Sequence, residues 1–382
     1  MSSPHRFAAF LIALVALPAA AAAQAEAPPP EPPPPPKKLS VGTEGLFNPS
    51  LLLQGWFTYD HADDTTTSFR VRRAEIHVRG EILPKQVAYE IFIDPARAVE
   101  VSNQTLTDSG GDTVTVRQTT GNLTILQDFY VTYLTDYADV SIGQFKIPVS
   151  LEGTTSAAKL YFPERALVAG TFGDKRDIGL RLTKKFDKLM YMAELVNGAG
   201  QNLRDNTNEK DASLRLEIYP IEGLTIAGAT YDTVGDRDKA GTKDRWEGDL
   251  RYESGPFLFQ SEFIHNRDVF ADGGTPVDGQ GFYALLGYKF PEMGSGHWKG
   301  VLQPVVRVGM YDPNVDVNLD PTMVAASNFG GNDERFDYEF GVNYYLRNHE
   351  MKLQASYDRQ QFDNSDAKAP VNEVIVAAQI SF

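Results

Sequence analysis

A two-residue period, recurring in short stretches from Leu51 to the last residue, restricts this chain more than any other feature. Trp246 to Glu253 places Trp246, Gly248, Leu250 and Tyr252 on one face and Glu247, Asp249, Arg251 and Glu253 on the other. Phe336 to Leu346 sets Phe336, Tyr338, Phe340, Val342, Tyr344 and Leu346 against Asp337, Glu339, Gly341, Asn343 and Tyr345. Met351 to Asp358 and Val374 to Phe382 alternate likewise. An amphipathic helix repeats about every 3.6 residues, so these segments are strands with one apolar and one polar face.

Sixteen such strands are predicted, over 51–59, 69–79, 86–94, 122–133, 138–147, 176–183, 189–196, 211–219, 223–231, 245–253, 256–264, 281–289, 300–311, 335–346, 350–358 and 373–382. An even count suits a closed antiparallel barrel with both termini on one side. The connections alternate in length. Those at 60–68, 95–121, 148–175, 197–210, 232–244, 265–280, 312–334 and 359–372 are long, whereas 134–137, 220–222, 254–255 and 347–349 are short. A soluble sandwich has no reason to sort its loops by parity, while an outer-membrane barrel has long external loops and short periplasmic turns. The predicted fold class is therefore all-β, a transmembrane antiparallel β-barrel of about 16 strands over residues 51–382. Tyr133, Tyr137, Tyr252, Phe257, Tyr344 and Tyr345 stand near strand ends, where they would form interfacial girdles, and Phe382 closes the last strand with an aromatic.

The N-terminal end agrees with export. His5 and Arg6 precede an apolar run from Phe7 to Leu17 that Pro18 breaks, and Ala23 and Ala25 flank Gln24 as a cleavage site. The run is too short to span a bilayer, so residues 1–25 read as a secretory signal peptide. Residues 26–50 follow as a Pro-rich periplasmic leader. Its Pro28 to Lys38 stretch, PPPEPPPPPKK, is an extended polyproline II spacer, because each proline fixes φ and lacks a donor. The spacer is either a plain linker or a stalk contacting the cell wall. Glu26 to Ser50 is too short for a folded plug, which argues against energised uptake.

Composition removes other classes. With 36 Lys+Arg against 51 Asp+Glu, a formal charge of −15, the chain has no basic face for nucleic acid. The absence of cysteine removes disulfide scaffolds, thiolate nucleophiles, Cys-ligated zinc and an N-terminal lipoprotein anchor. No later segment offers ~18 uninterrupted apolar residues, so a helical membrane protein is excluded.

Particular residues carry a resemblance. Ser68-Phe69-Arg70-Val71-Arg72-Arg73-Ala74-Glu75, Ile142-Gly143-Gln144-Phe145-Lys146-Ile147-Pro148 with Leu151-Glu152, Glu164-Arg165-Ala166, Arg176-Asp177-Ile178-Gly179 and Val196-Asn197-Gly198 look like the phosphate-selective porin O and P family. The stretch Gly341-Val342-Asn343-Tyr344-Tyr345-Leu346 fits as well, and the most specific piece is GQFK-x-P-x-x-L-E. The resemblance runs from about Leu51 to Phe382. It implies a trimeric outer-membrane channel passing small anions such as phosphate or polyphosphate, with lipid around it and no cofactor.

Such a channel selects where a loop folded into the lumen narrows it. By position that loop is 148–175, which carries Glu152, Lys159, Glu164, Arg165, Asp174 and Lys175, a balanced set. Alternation puts Arg73, Arg79, Arg181, Arg215, Arg251 and Arg307 on the pore side, against about twice as many acids, among them Glu75, Glu90, Glu194, Glu247, Asp249, Glu262, Glu339 and Asp358. Arg72 and Arg73 cannot both face the pore in regular geometry, so a bulge near Arg72 is predicted. The pore-lining, anion-binding candidates are thus Arg72, Arg73, Arg79, Lys146, Lys159, Arg165, Arg181, Arg215, Arg251 and Arg307. Each could instead form a salt bridge across the wall. The acid excess leaves a general or cation-leaning porin open, and a structural or adhesive barrel without transport is the reading from another class. No HExxH or GxSxG stands near the scattered histidines, and no spacing suits a calcium loop, so neither an enzyme nor a metal site is predicted; His77 beside Glu75 reads as a pore-wall hydrogen bond.

Overall fold

The computed structural model describes residues 39–41, 45–61, 65–98, 100–107, 113–120, 124–205, 208–235, 241–269, 276–313, 315, 334–362 and 370–382. The segment read as signal peptide and most of the proline-rich leader lie outside the described residues. The strands are β1 (Leu39–Val41), β2 (Gly45–His61), β3 (Thr65–Leu83), β4 (Val87–Ile93), β5 (Glu100–Thr107), β6 (Thr113–Thr120), β7 (Leu126–Tyr133), β8 (Asp139–Lys146), β9 (Arg176–Lys185), β10 (Leu189–Val196), β11 (Lys210–Ile218), β12 (Leu224–Val234), β13 (Lys243–Ser254), β14 (Phe257–Asp268), β15 (Val277–Tyr288), β16 (Val301–Asp312), β17 (Arg335–Arg347), β18 (Met351–Phe362) and β19 (Val371–Ser381). Sixteen of them, β2 to β4 and β7 to β19, form a ring in which each is antiparallel to the next. The ring closes where β19 returns to β2, with Val376 opposite Phe57 and Ile380 opposite Leu53.

Burial across this wall is inverted relative to a soluble sheet. Leu195, Leu214, Leu216, Leu286, Val306, Phe340 and Val376 are exposed, while Glu194, Arg215, Glu247, Glu262, Arg307 and Gln379 are buried. Lipid solvates the outer face, and closure leaves no sheet edge with unpaired backbone groups. Tyr133, Tyr137 and Phe257 stand exposed near the short-turn end as predicted. Tyr345 does not: it is buried inside the barrel and donates to Gln303 at 2.7 Å.

Several boundaries differ from the sequence reading, β14, β15 and β18 running up to four residues further into the long connections, and three differences stand nearer the N-terminus. The first barrel strand begins at Gly45, inside the predicted leader, with β1 paired onto its start. Pro49 is a strand breaker by type, but β19 reaches β2 only at Leu51 and Leu52 and β1 only at Gly45 to Phe47, so among the described residues Pro49 has β3 alone as its partner. A missing donor costs little there. β3 begins at Thr65, because Thr65, Thr66 and Thr67 favour extended backbone without an apolar alternation to advertise it. The predicted loop 95–121 contains β5 and β6, a separate hairpin running from Glu100 opposite Thr120 to Thr107 opposite Thr113.

Candidate functional site

The connection between β8 and β9 turns inward. Ser150 adopts φ 91° and caps a single helical turn, α1 (Leu151–Thr154), its hydroxyl accepting the Gly153 N–H at 2.9 Å. Gly153 lies against Gly173, so closely that a Cβ on Gly153 would fall 2.4 Å from the Gly173 carbonyl oxygen. Pinching the two limbs together projects the middle of the loop across the lumen. There Tyr161, Phe162, Ala166, Val168, Ala169 and Phe172 pack on Leu258 and Ile264 of β14, Tyr283 and Leu285 of β15 and Val305 of β16. An apolar run within a polar lumen thus finds an apolar patch on one wall.

Polar contacts fix the loop further around the ring. Arg307 of β16 holds loop residue Glu152 at 3.2 Å and Glu339 of β17 at 2.6 Å. Asn343 donates to the Tyr161 carbonyl at 2.9 Å, Lys352 to that of Leu160 at 2.7 Å and Gln379 to that of Ala158 at 3.0 Å. Arg251 donates to the Tyr161 hydroxyl at 3.0 Å.

At β3 the predicted bulge is present. Gln54 pairs with Arg73 and Gly55 with Val71, so Arg72 is the extra residue. Both arginines therefore turn toward the loop and share Glu164, Arg72 at 2.5 Å and Arg73 at 3.1 Å. Burial alone would raise the Glu164 carboxyl, but Arg73 and Arg72 outweigh it and hold it below the ordinary value.

Between the loop and the wall of β3, β4 and β7 to β10 remains a cavity of about 220 Å³. Its lining includes Arg73, Arg79, Arg97, Lys146, Arg165, Arg176 and Arg181 against Glu75, Glu90, Asp128 and Asp174, seven fixed cations and four carboxylates. Asp174 sits among Lys146 at 2.9 Å, Arg165 and Arg176 at 3.4 Å each and Arg97 at 3.9 Å. Burial would raise its carboxyl, but Lys146, Arg165 and Arg176 drive it well below the ordinary value. Aromatic faces support the guanidinium groups: Arg181 lies 3.9 Å from the Phe145 ring centroid and Arg176 5.4 Å from that of Phe92. His77 stacks on Phe92 at 3.9 Å and reaches Glu75 at 3.4 Å, the wall contact expected of it.

Of the predicted site residues, Arg73, Arg79, Lys146, Arg165 and Arg181 line this cavity. Arg72 is spent on Glu164, and Lys159 is exposed away from the lining. Arg215 lies elsewhere on the wall, paired with Glu217 at 2.8 Å, Glu247 at 3.1 Å and Asp249 at 2.6 Å. Arg251, bound to Glu253 at 2.9 Å, and Arg307 anchor the loop on the side away from the cavity. Sequence reasoning missed Arg97 and Arg176 as lining groups. The signal for Arg97 was the Asp94-Pro95 turn before it, in which Asp94 accepts from Ala96 N–H and Arg97 Nε at 3.2 Å each. Lys146 shares the parity of outward Ile142 yet reaches the cavity. The alternation breaks at Gly143, where φ is +138° and a Cβ would fall 2.1 Å from the Phe129 carbonyl oxygen.

The family described as phosphate-selective porin O and P matches residues 54–240. No curated protein matches the chain by sequence. Among solved structures, the chain resembles the outer-membrane channel DcaP of Acinetobacter baumannii, at 13% identity and TM-score 0.58, covering 90% of this chain and 99% of that one. It also resembles the anion-selective porin of Comamonas acidovorans, at 12% identity and TM-score 0.56, over 89% of this chain and all of that one. The trimer form of Vibrio cholerae OmpT is similar at 12% identity and TM-score 0.55, over 89% of this chain and all of that one. At these identities the likeness is one of fold, a porin barrel.

Proposed function

The chain belongs, through residues 54–240, to the phosphate-selective porin O and P family, and from that premise we propose that this outer-membrane channel passes small hydrophilic anions, phosphate and polyphosphate among them, by passive diffusion. The observation that carries the reading is the excess of three fixed positive charges around the cavity beside the inward loop. Selectivity is decided where the path is narrowest, and guanidinium and ammonium donors there replace part of an anion's hydration shell. The acids that outnumber bases along the whole wall, Glu247, Asp249, Glu262 and Glu339 among them, do not line this cavity. Arg73, Arg79, Lys146, Arg165 and Arg181, with Arg97 and Arg176, are the groups an anion meets. The family and the anion-selective Comamonas neighbour support the same reading. The channel assembles as a homotrimer in this proposal, through part of the exposed apolar outer wall, in keeping with the trimeric OmpT neighbour.

The test is the zero-current potential of the purified, reconstituted protein across a planar bilayer under a potassium chloride gradient, then with inorganic phosphate added. A potential of anion sign with chloride current blocked by phosphate is expected. A cation-sign potential without block leaves the barrel standing and removes the anion function.

A further inference from the structure

Asp174 is an anionic side chain in the position an anion would take. Lys146 comes from the end of β8, Arg176 from the start of β9, Arg165 from the loop and Arg97 from the turn after β4, and all four converge on its carboxylate. Arg176 also has Asp128 at 2.9 Å, and Arg97 has Asp94 at 3.2 Å. Lys146 and Arg165 have no second carboxylate in ion-pair contact among the described residues. Their other contacts are carbonyl oxygens: Gly153 at 2.6 Å for Lys146, Glu152 at 2.7 Å and Thr155 at 2.9 Å for Arg165. One carboxylate therefore compensates two otherwise unmatched cations at the edge of an open cavity.

Resting on the anion-channel reading above, the geometry points to Asp174 as a resident counter-anion that a permeating oxyanion displaces from Lys146 and Arg165, setting how tightly the channel holds that anion. A site of converging cations left empty would bind a phosphate strongly and slow its exit, while conduction requires binding weak enough to be left. A tethered carboxylate competes for the same donors at high effective concentration, so each anion enters by exchange and is expelled by return of the side chain. Asp174 is thus a specificity-determining residue that lowers affinity and raises throughput.

The experiment is phosphate block of chloride current through the full-length protein in planar bilayers, comparing the unmodified channel with Asp174→Asn, Asp174→Glu and Glu90→Gln. Glu90 lines the same cavity but is held by Arg79 at 2.6 Å and Tyr130 at 2.6 Å, away from Lys146 and Arg165. Removing either carboxylate raises the cavity charge equally, so Glu90→Gln reports the general electrostatic effect. The half-blocking phosphate concentration is expected to fall on the order of tenfold in Asp174→Asn. It should fall much less in Glu90→Gln and return toward the unmodified value in Asp174→Glu. Equal shifts in Asp174→Asn and Glu90→Gln would overturn the proposal. So would an Asp174→Asn channel with weaker block and raised conductance, since Asp174 would then only anchor the loop. The unmodified channel's zero-current potential separately reports the anion reading, so failure of one is distinguishable from failure of the other.

Discussion

Strand alternation assigns an arginine to a face, but only its neighbours decide what its charge does. Arg73, Arg215 and Arg307 all point inward as their parity requires, and all are almost fully buried. Arg215 meets three carboxylates of the wall, whereas Arg307 shares itself between wall Glu339 and loop Glu152. Arg307→Gln and Arg215→Gln should each destabilise the barrel by about 3–5 kcal/mol, because each leaves buried carboxylates uncompensated. Thermal unfolding in detergent checks this part. Only Arg307→Gln should also raise single-channel conductance, since only it frees the loop. Equal conductance changes in the two variants would contradict the anchoring role. Inward orientation was legible from the sequence, but these pairings were not, because Glu339 faces Arg307 only through the β16–β17 register and Glu152 reaches it only once the loop has folded into the lumen.

Among the elements, the loop between β8 and β9 held the least legible information. Its charges balance in the sequence, which hid that Glu164 serves Arg72 and Arg73 while Asp174 serves the cavity cations. Its direction was written in its apolar residues. Tyr161, Phe162, Val168 and Phe172 are too many large side chains for a solvated external loop. The bulge at Arg72 and the kink at Gly143 each leave a flip of apolar parity in the sequence, the first between Val71 and Ile76 and the second between Ile142 and Phe145, where Lys146 turns inward. A carboxylate of the loop also fixes its response to acid. Glu164, which ties the loop to Arg72 and Arg73, has a folded value below the ordinary ~4 of a carboxyl, so its anchoring is fully present above that value and is lost only as pH falls through the depressed one. A spin label at Leu167→Cys, the sole thiol in a chain without cysteine, should stay immobile from pH 7 to about 5. Its mobility should rise only below about pH 4. Mobility appearing near pH 6 would show that Glu164 does not hold the loop.

At the scale of the whole barrel, charge is sorted by side rather than averaged. The sequence showed an acidic lumen because alternation counts every inward residue, wherever the strand lies in the ring. The ring order places the cation-lined cavity along β3, β4 and β7 to β10, while Glu247, Asp249, Glu262, Glu339 and Asp358 belong to β13 to β18, the stretch that includes the wall on which the loop is seated. The loop therefore does two things with one geometry: it narrows the path, and it keeps much of the acidic wall out of that path. Deleting residues 154–172 removes Arg165 from the cavity and uncovers the carboxylates beneath the loop. If selectivity followed the net charge of the wall, the deletion would change conductance but not sign. With charge sorted as the structure has it, the zero-current potential should move from anion sign toward cation sign as conductance rises. The shift should be largest at low ionic strength, where a Debye length of about 30 Å at 0.01 M lets the uncovered wall act across the lumen, and should shrink at 1 M, where it is about 3 Å. A deleted channel that stays fully anion-selective at low salt would show that the cations of β3, β8 and β9 decide selectivity without the loop's cover.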